Sequence, residues 1–525
     1  MSAVGDVFSA PAATARPLAA WRSNALWLVA ITVLAVIWQT RWGTVPDTSW
    51  LITVCERVLA GERLYVDLYE TNPPFSIWLY MPPVALAQAL GVASEYLVHA
   101  WTYLLAVAGF LLACHVASRA GFPENAELAR LAPAFYALLV LFPGIAFSER
   151  EHIGAALFLP LLVLMAWRAR ADASTRPGLG LALTIGLCAS VLLLVKPHYA
   201  VTVLAPALFV CWRSRSIRPI FAAEHWVIGI VCVAYLAAVF LLYPVFIREI
   251  FPRVADVYMQ IRAYLHIIAA FCLPMAVLMF LIWRLWPMDR VPEPASVATL
   301  AALSGLLPLI VQGKGWAYHA YPAMLYAICA LLCLLVLPSK HRRSAGWMGG
   351  YPLLMKPRES ILLIGFLIGF ASFWPSQKPD SGMVAAIREA TYRPTIALIG
   401  SDLGNGHPLT RIVEGHWAET YVSDWLGRSA VELALEATWK GDSAKAARYR
   451  SILDHYANGK RDELLARRPD IILVQKDEEP WLDLLRDRYG FGQVLSSYAL
   501  LWQDEDLQVY LRNGYRSQSE TASAR

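Results

Sequence analysis

Charge is what this sequence most lacks. Charged residues make up 16% of it against 58% apolar residues, and the mean hydropathy is +0.46. A soluble chain cannot cover its surface with so little charge. Strict alternation of apolar and polar side chains is also missing, which excludes a transmembrane barrel. Long continuous apolar runs recur instead as far as Phe370, and such runs cross a bilayer only as helices. The eight cysteines end at Cys333, inside or beside apolar segments, and read as small buried hydrophobes. The polar C-terminal part has none and therefore no disulfide. No small-residue cleavage pattern follows the first apolar run, which ends at Trp38-Gln39-Thr40 behind Arg16 and Arg22, so that run is expected to stay as an anchor. Internal repeats are missing too, which disfavours a transporter or flippase built from inverted halves. The net charge of +5 sits mostly in short loops between apolar runs. So placed, it says nothing for nucleic acid; the apolar runs imply a lipid bilayer as partner, and no nucleic-acid partner is expected.

What is there is organised around residues 47–83, a polar and proline-broken stretch between the first apolar run and the next. Its second half, 73–91, is apolar but carries Pro73, Pro74, Pro82 and Pro83, so it is either a kinked span or a helix lying in the interface. Loop charge decides. If 73–91 spans, the loop 119–130 turns outward and every later basic loop is on the wrong side. If it lies in the interface, spans fall near 25–39, 96–117, 131–147, 153–167, 179–195, 199–212, 226–244, 264–283, 296–311, 318–337 and 360–375. The inner loops then hold Arg119 and Arg130; Arg168, Arg170 and Arg176; Arg213, Arg215 and Arg218; Arg284 and Arg290; and Lys340, Arg342, Arg343, Lys356 and Arg358. That positive-inside pattern favours about eleven spans.

Beyond Trp374-Pro375 the chain turns polar, with strand-like runs at 395–400, 470–475 and 507–511 and a helical stretch at 442–467. The expected organisation is a cytoplasmic tail (1–24), a transmembrane domain (25–375) with external loop and interface helices at 41–95, and a small soluble α/β domain (376–525). An odd span count places that last domain outside, on the side of Asp47.

Four polar groups then share the outer face. They are Asp47, Glu56, Asp67 and Glu70 in the first loop; Glu149-Arg150-Glu151-His152; Lys196-Pro197-His198; and Gln312-Gly313-Lys314-Gly315 through His319. The loop 246–264 adds Arg248, Arg253, Asp256, Tyr258 and Arg262. Each has a plainer explanation. Asp47 could be a solvated loop acid, the lysines could snorkel at helix ends, and the histidines could be satisfied at the interface. Gly313-Lys314-Gly315 is no nucleotide-binding phosphate loop, lacking its spacing and preceding strand. So many ionisable groups gathered at one membrane face nonetheless suggest a polar cavity. Carboxylates there could act as general base or position an acceptor or metal, and the cations could neutralise a departing phosphate.

These residues resemble the GT-C superfamily of integral-membrane glycosyltransferases, in its bacterial dolichyl-phosphate-mannose-like and aminoarabinose-transferase-like branch. The resemblance rests on Asp47 early in the first outer loop, the helical 49–60, the Gly61, Tyr65 and Asp67 step, and Asn72-Pro73-Pro74 leading into a second interface helix. It covers about residues 25–340. It implies a polyprenyl-phosphate-linked sugar as donor, Asp47 as base with inversion at the sugar carbon, and a glycan, lipid or protein of the bacterial envelope as acceptor. It sets Glu70, Glu149, Glu151 and His152 toward the acceptor. Lys196, His198, Arg262, Lys314 and His319 are set toward the lipid phosphate, with Arg150 as a further candidate. A divalent metal, Mg or Mn, is left open through Glu149, Glu151 or His152, since some relatives work without one. The inner membrane is the implied home, with the C-terminal domain in the periplasm. An envelope polymerase or ligase using diphosphate-linked oligosaccharide stays a close rival.

Overall fold

In a computed structural model of the chain the described residues are 15–41, 43–170, 176–287, 289–337, 357–372, 378–476 and 479–515. The first fourteen residues of the expected tail, the basic residues Lys340, Arg342, Arg343 and Lys356, and the boundary at Trp374-Pro375 lie outside them. The described chain is largely helical, with one small sheet near its C-terminal end. Among the described residues six helices are long and apolar enough to cross a membrane: Ser94–Ala120, Arg150–Ala169, Ala223–Leu242, Leu265–Leu285, Glu293–Gln312 and Ala317–Leu335. Three shorter apolar helical stretches, Asn24–Thr40, Phe75–Leu90 and Leu179–Val195, accompany them. The described residues of each expected span overlap helical chain, but several of these helices are short or broken. The run at 131–147 is the helix Ala132–Val140 followed by a single turn, Gly144–Ala146, because Pro143 cannot continue the hydrogen-bond ladder.

The segment expected to lie in the interface is divided into two short helices. It forms Phe75–Trp78 and Met81–Leu90, the second opened by Pro82 and Pro83 and closed by Gly91 in a left-handed conformation. Ten residues of helix rise about 15 Å, half of a hydrocarbon core of about 30 Å. The preceding polar stretch begins as the helix Pro46–Leu59, started by Pro46 at its first turn and buried from Thr48 to Cys55.

Two helices near the sequence centre are buried nearly all round, Arg150–Ala169 and Ala317–Leu335, and form the axis of the bundle. Small residues let neighbours approach that axis. A Cβ on Gly109 would stand 2.4 Å from the Ala156 carbonyl oxygen, and one on Gly154 would meet Leu192 at 3.0 Å.

The polar C-terminal part holds five strands, β1 (Thr395–Ile399), β2 (His416–Trp417), β3 (Ile471–Gln475), β4 (Tyr498–Gln503) and β5 (Leu507–Arg512), in the order β2-β1-β3-β5-β4. β2, β1 and β3 are parallel; β5 runs antiparallel to β3 and to β4. The three expected strands are β1, β3 and β5, and the expected helix is Ser443–Arg467. Side chains of successive strand residues point to opposite faces, and here both faces are covered. Ala397, Ile399, Ile472 and Val474 pack with residues of the helices Trp425–Trp439 and Ser443–Arg467. Ile396, Leu398, Ile471 and Leu473 share a core with Trp50, Leu51, Ile52 and Val54 of the Pro46–Leu59 helix. The sheet is therefore seated on the first-loop stretch. Arg411 fixes the seat, pairing with Glu56 at 2.8 Å and Glu95 at 2.9 Å, while Arg57 donates to the Glu419 carbonyl at 2.6 Å.

Candidate active site

The cluster grows from helix ends that meet at one end of the bundle. Asp47 occupies the first turn of Pro46–Leu59, where the helix dipole favours negative charge. The turn before Arg150–Ala169 is tied to that helix: Thr48 Oγ1 donates to the Ser148 carbonyl at 3.3 Å, and Tyr80 OH donates to the same oxygen at 2.6 Å. Ser148 takes a positive φ of 61° to make this corner, which presents Glu149, Arg150 and Glu151 in succession, all buried. Arg150 Nη1 donates to Ser76 Oγ at 3.2 Å. Lys196, at the end of Leu179–Val195, places its ammonium 2.5 Å from Glu151 and against Nε2 of His319. The Asp47 charge acts on Glu149, Arg150, Lys196 and Tyr258.

Electrostatics sorts these groups by protonation. Burial, then the nearby Asp47, pushes the Glu149 carboxyl well above the usual carboxylate range, and its Oε2 lacks a hydrogen-bond partner. Burial and the Asp47 charge thus favour the protonated form of Glu149, and a neutral carboxylic acid can donate to a substrate oxygen. Burial lowers the Lys196 ammonium, opposed by the Glu151 carboxylate beside it. Burial also raises Glu70, against hydrogen bonds from the Asn72 backbone N–H at 2.6 Å and the Asn72 side chain at 2.7 Å; Trp50 Nε1 donates to its other oxygen.

The remaining candidates are placed differently. Lys314 is buried and donates to the Tyr258 and Ile261 carbonyls, the latter at 2.5 Å, with its ammonium 3.7 Å from the Tyr258 ring centre. It thereby pins the 246–264 loop over the cluster, and burial with the neighbouring Arg262 lowers it to about 8. Arg262 itself is exposed and packs on Gly313. His198 is exposed. His152 turns away: its Nδ1 accepts from the Ser148 N–H at 3.2 Å, and its Nε2 donates to the Leu139 carbonyl at 2.6 Å. Both His152 nitrogens are so engaged, and Glu151 is paired to Lys196. Among the described residues no group of three or more His, Cys, Asp or Glu is placed to hold a metal.

Two aromatics also belong to the cluster, Tyr258, which the sequence placed on the outer face, and Tyr318, to which it assigned no role. Tyr258 packs on Trp316, which in turn meets Tyr318, and the Lys196 ammonium lies 5.2 Å from the Tyr318 ring centre. Aromatics at span ends resemble interface anchors; Tyr258 lies on the pinned loop and Tyr318 on the first turn of Ala317–Leu335. The opposite end of the bundle is less bland than its basic loops suggested. Arg168–Glu224 (2.6 Å), Arg213–Glu293 (2.8 Å) and Arg290–Glu124 (2.5 Å) are ion pairs there. A cavity of about 540 Å³ lies there, lined by the last two pairs. Arg213 and Arg290 are matched there by acids of the cavity wall and Arg170 donates to the Ala120 and Gly121 carbonyls, whereas the Asp47 end gathers Asp47, Glu149, Arg150, Glu151 and Lys196 in one cluster and is the candidate site.

This bundle has a known counterpart. The chain superimposes on the crystal structure of ArnT from Cupriavidus metallidurans bound to undecaprenyl phosphate, with a TM-score of 0.52 and 14% identity, over 93% of this chain and 97% of that one. The fold is shared with ArnT. At that identity the likeness concerns the fold alone. No family model matches the chain, and no curated protein matches it.

Proposed function

We propose that the chain is a GT-C glycosyltransferase of the bacterial inner membrane. It takes a sugar from a polyprenyl-phosphate donor and passes it to a hydroxyl of an envelope glycan, lipid or protein on the periplasmic face. One observation carries the reading: Asp47, Glu149, Arg150, Glu151 and Lys196 converge at one end of a bundle shared with a protein that binds undecaprenyl phosphate. In the proposed step Asp47 removes the acceptor hydroxyl proton as the oxygen attacks the sugar C1 from the face opposite the phosphate. The C1–O bond breaks with inversion, and the electron pair leaves on the lipid phosphate. Arg150 and Lys196 receive that charge, releasing Glu151 from its resting pair with Lys196. Neutral Glu149 donates a hydrogen bond that orients the acceptor. Lys314 acts through the loop it pins, His319 holds Lys196, and no step is assigned to a metal.

Membranes carrying wild type or Asp47→Asn, supplied with radiolabelled polyprenyl-phosphate sugars and envelope acceptor, test this directly. Loss of a positioned base lowers the rate by about 10²–10⁴-fold. Equal transfer by both proteins would remove Asp47 as base, and no transfer by wild type from any such donor would remove the transferase reading.

A further inference from the structure

Where helices of the C-terminal part meet the first loop and the 246–264 loop, the two parts of the chain enclose a small cavity of about 150 Å³. Cavities for drug-sized ligands run about 300–1,000 Å³, so this one has room for a single ring. Three tyrosines line it, Tyr69 from the first loop and Tyr421 and Tyr456 from the C-terminal part. The Tyr69 and Tyr421 rings lie 4.8 Å apart at 33°, and Tyr456 meets Tyr421 edge-on at 4.7 Å. The Tyr456 hydroxyl is committed inward to Asp424 at 2.5 Å, leaving its ring to the cavity wall. The Tyr69 hydroxyl is shielded from solvent without an aligned partner, and the Arg253 guanidinium lies beside it. Arg253 is partly exposed and its contact with Glu249 is 3.9 Å, too long to occupy its fork of donors. Ser451 and His455 form the open rim.

We infer that this seam cavity is a subsite for one anionic monosaccharide unit of the acceptor, held by tyrosine faces and by Arg253. A sugar ring offers apolar C–H faces and a hydroxyl edge, matching aromatic walls with a polar rim. A carboxylate or phosphate substituent matches the guanidinium fork in geometry and charge. The placement fits the proposed reaction, on which the acceptor assignment rests. Tyr69 points into the cavity while the adjacent Glu70 points to Trp50 and Asn72 beside the Asp47 cluster. Tyr258 of that cluster touches Trp425, next to the lining residue Leu426, at 5.9 Å. The subsite exists only where both parts of the chain meet, which gives the C-terminal part a role in acceptor choice.

Saturation-transfer NMR on the full chain in detergent micelles, with glucuronic acid, glucose 6-phosphate and neutral glucose as probes, tests the subsite. Wild type is expected to bind an acidic probe in preference to glucose, and the stronger of the two identifies carboxylate or phosphate as the anion. Arg253→Gln and Tyr421→Ala should each weaken that probe about tenfold or more, the scale of a charged hydrogen bond or an aromatic contact, while Tyr421→Phe retains it. Undecaprenyl phosphate binding is measured on the same samples and should be unchanged, which also shows the variants folded; the exposed rim variant His455→Ala provides a second, milder perturbation. Glucose bound as well as the acidic probes, or acidic probes bound equally by wild type, Arg253→Gln and Tyr421→Ala, would overturn the subsite. Arg253-dependent binding of the acid by a wild type that ignores undecaprenyl phosphate would instead uphold the subsite and remove the transferase reading.

Discussion

Lys460 is wholly buried in the C-terminal core, with its ammonium against Asp424, the Leu398 carbonyl and, at 2.8 Å, Glu419. Tyr456 and Trp481 also donate to Asp424, so the single cation is shared unequally between two acids. Burial, only partly offset by Lys460, pushes Glu419 up to about 7. Its folded value lies above its ordinary 4.5, so between the two the folded chain binds more protons than the unfolded chain. The resulting stabilisation is full below about pH 4.5 and is lost as pH rises through about 7. Glu419→Gln cannot ionise and should flatten this part of the stability-against-pH curve, measured by thermal unfolding from pH 4.5 to 8. A curve for the variant that parallels wild type would show that Glu419 is not the titrating group. Nothing in the order of residues around Glu419 or Lys460 announces this pairing, because the partners are 41 positions apart and a lysine inside a helix ordinarily faces water.

At the scale of elements, the helix contacts rest on close approach. Gly109 on Ser94–Ala120 faces the backbone of Arg150–Ala169, and the 2.4 Å gap between a new Cβ and the Ala156 oxygen cannot be closed by a side-chain rotation. Gly109→Ala should therefore force the two helices apart and cost about 1–3 kcal/mol, read as a lowered unfolding temperature in detergent. An unchanged temperature would mean the helices separate freely. The consequence reaches the site, because Arg150–Ala169 carries Arg150 and Glu151 at its first turn. The helices themselves were legible from apolar runs and loop charge. Their breaks were partly legible, since Pro143 and the Pro82-Pro83 pair mark two of them. The short strands β2 and β4 were not. β2 has two residues, and β4 (YALLWQ) lacks the alternation that marks a half-buried strand.

Across the whole molecule, the first loop and the C-terminal sheet behave as one block. Arg411 joins them through two carboxylates, and Tyr69 N–H donates to the Thr420 carbonyl at 3.0 Å. Arg411→Met would leave Glu56 and Glu95 facing each other without their cation. Removing one member of a buried ionic group costs about 3–5 kcal/mol, and the partial exposure of both acids places the effect near the lower end. The expected result is faster proteolytic release of the C-terminal part from otherwise folded protein, followed by immunoblot. Cleavage at the wild-type rate would show that the apolar seat of Trp50 against the sheet suffices alone.

The sequence by itself determined that this is a helical membrane protein with a mixed α/β part at its C-terminal end, and that Asp47, Glu149, Glu151, Lys196 and Lys314 sit near helix ends. Hydrophobic run length and loop charge act locally along the chain, so they can be counted. Only the tertiary structure decided that Lys196 rests against Glu151 and His319, that Lys314 spends its ammonium on the 246–264 loop, and that His152 faces the core. It also decided that the sheet sits on the first loop through Arg411. These depend on which buried group finds which partner at hydrogen-bond range, and such pairings join positions up to 362 residues apart.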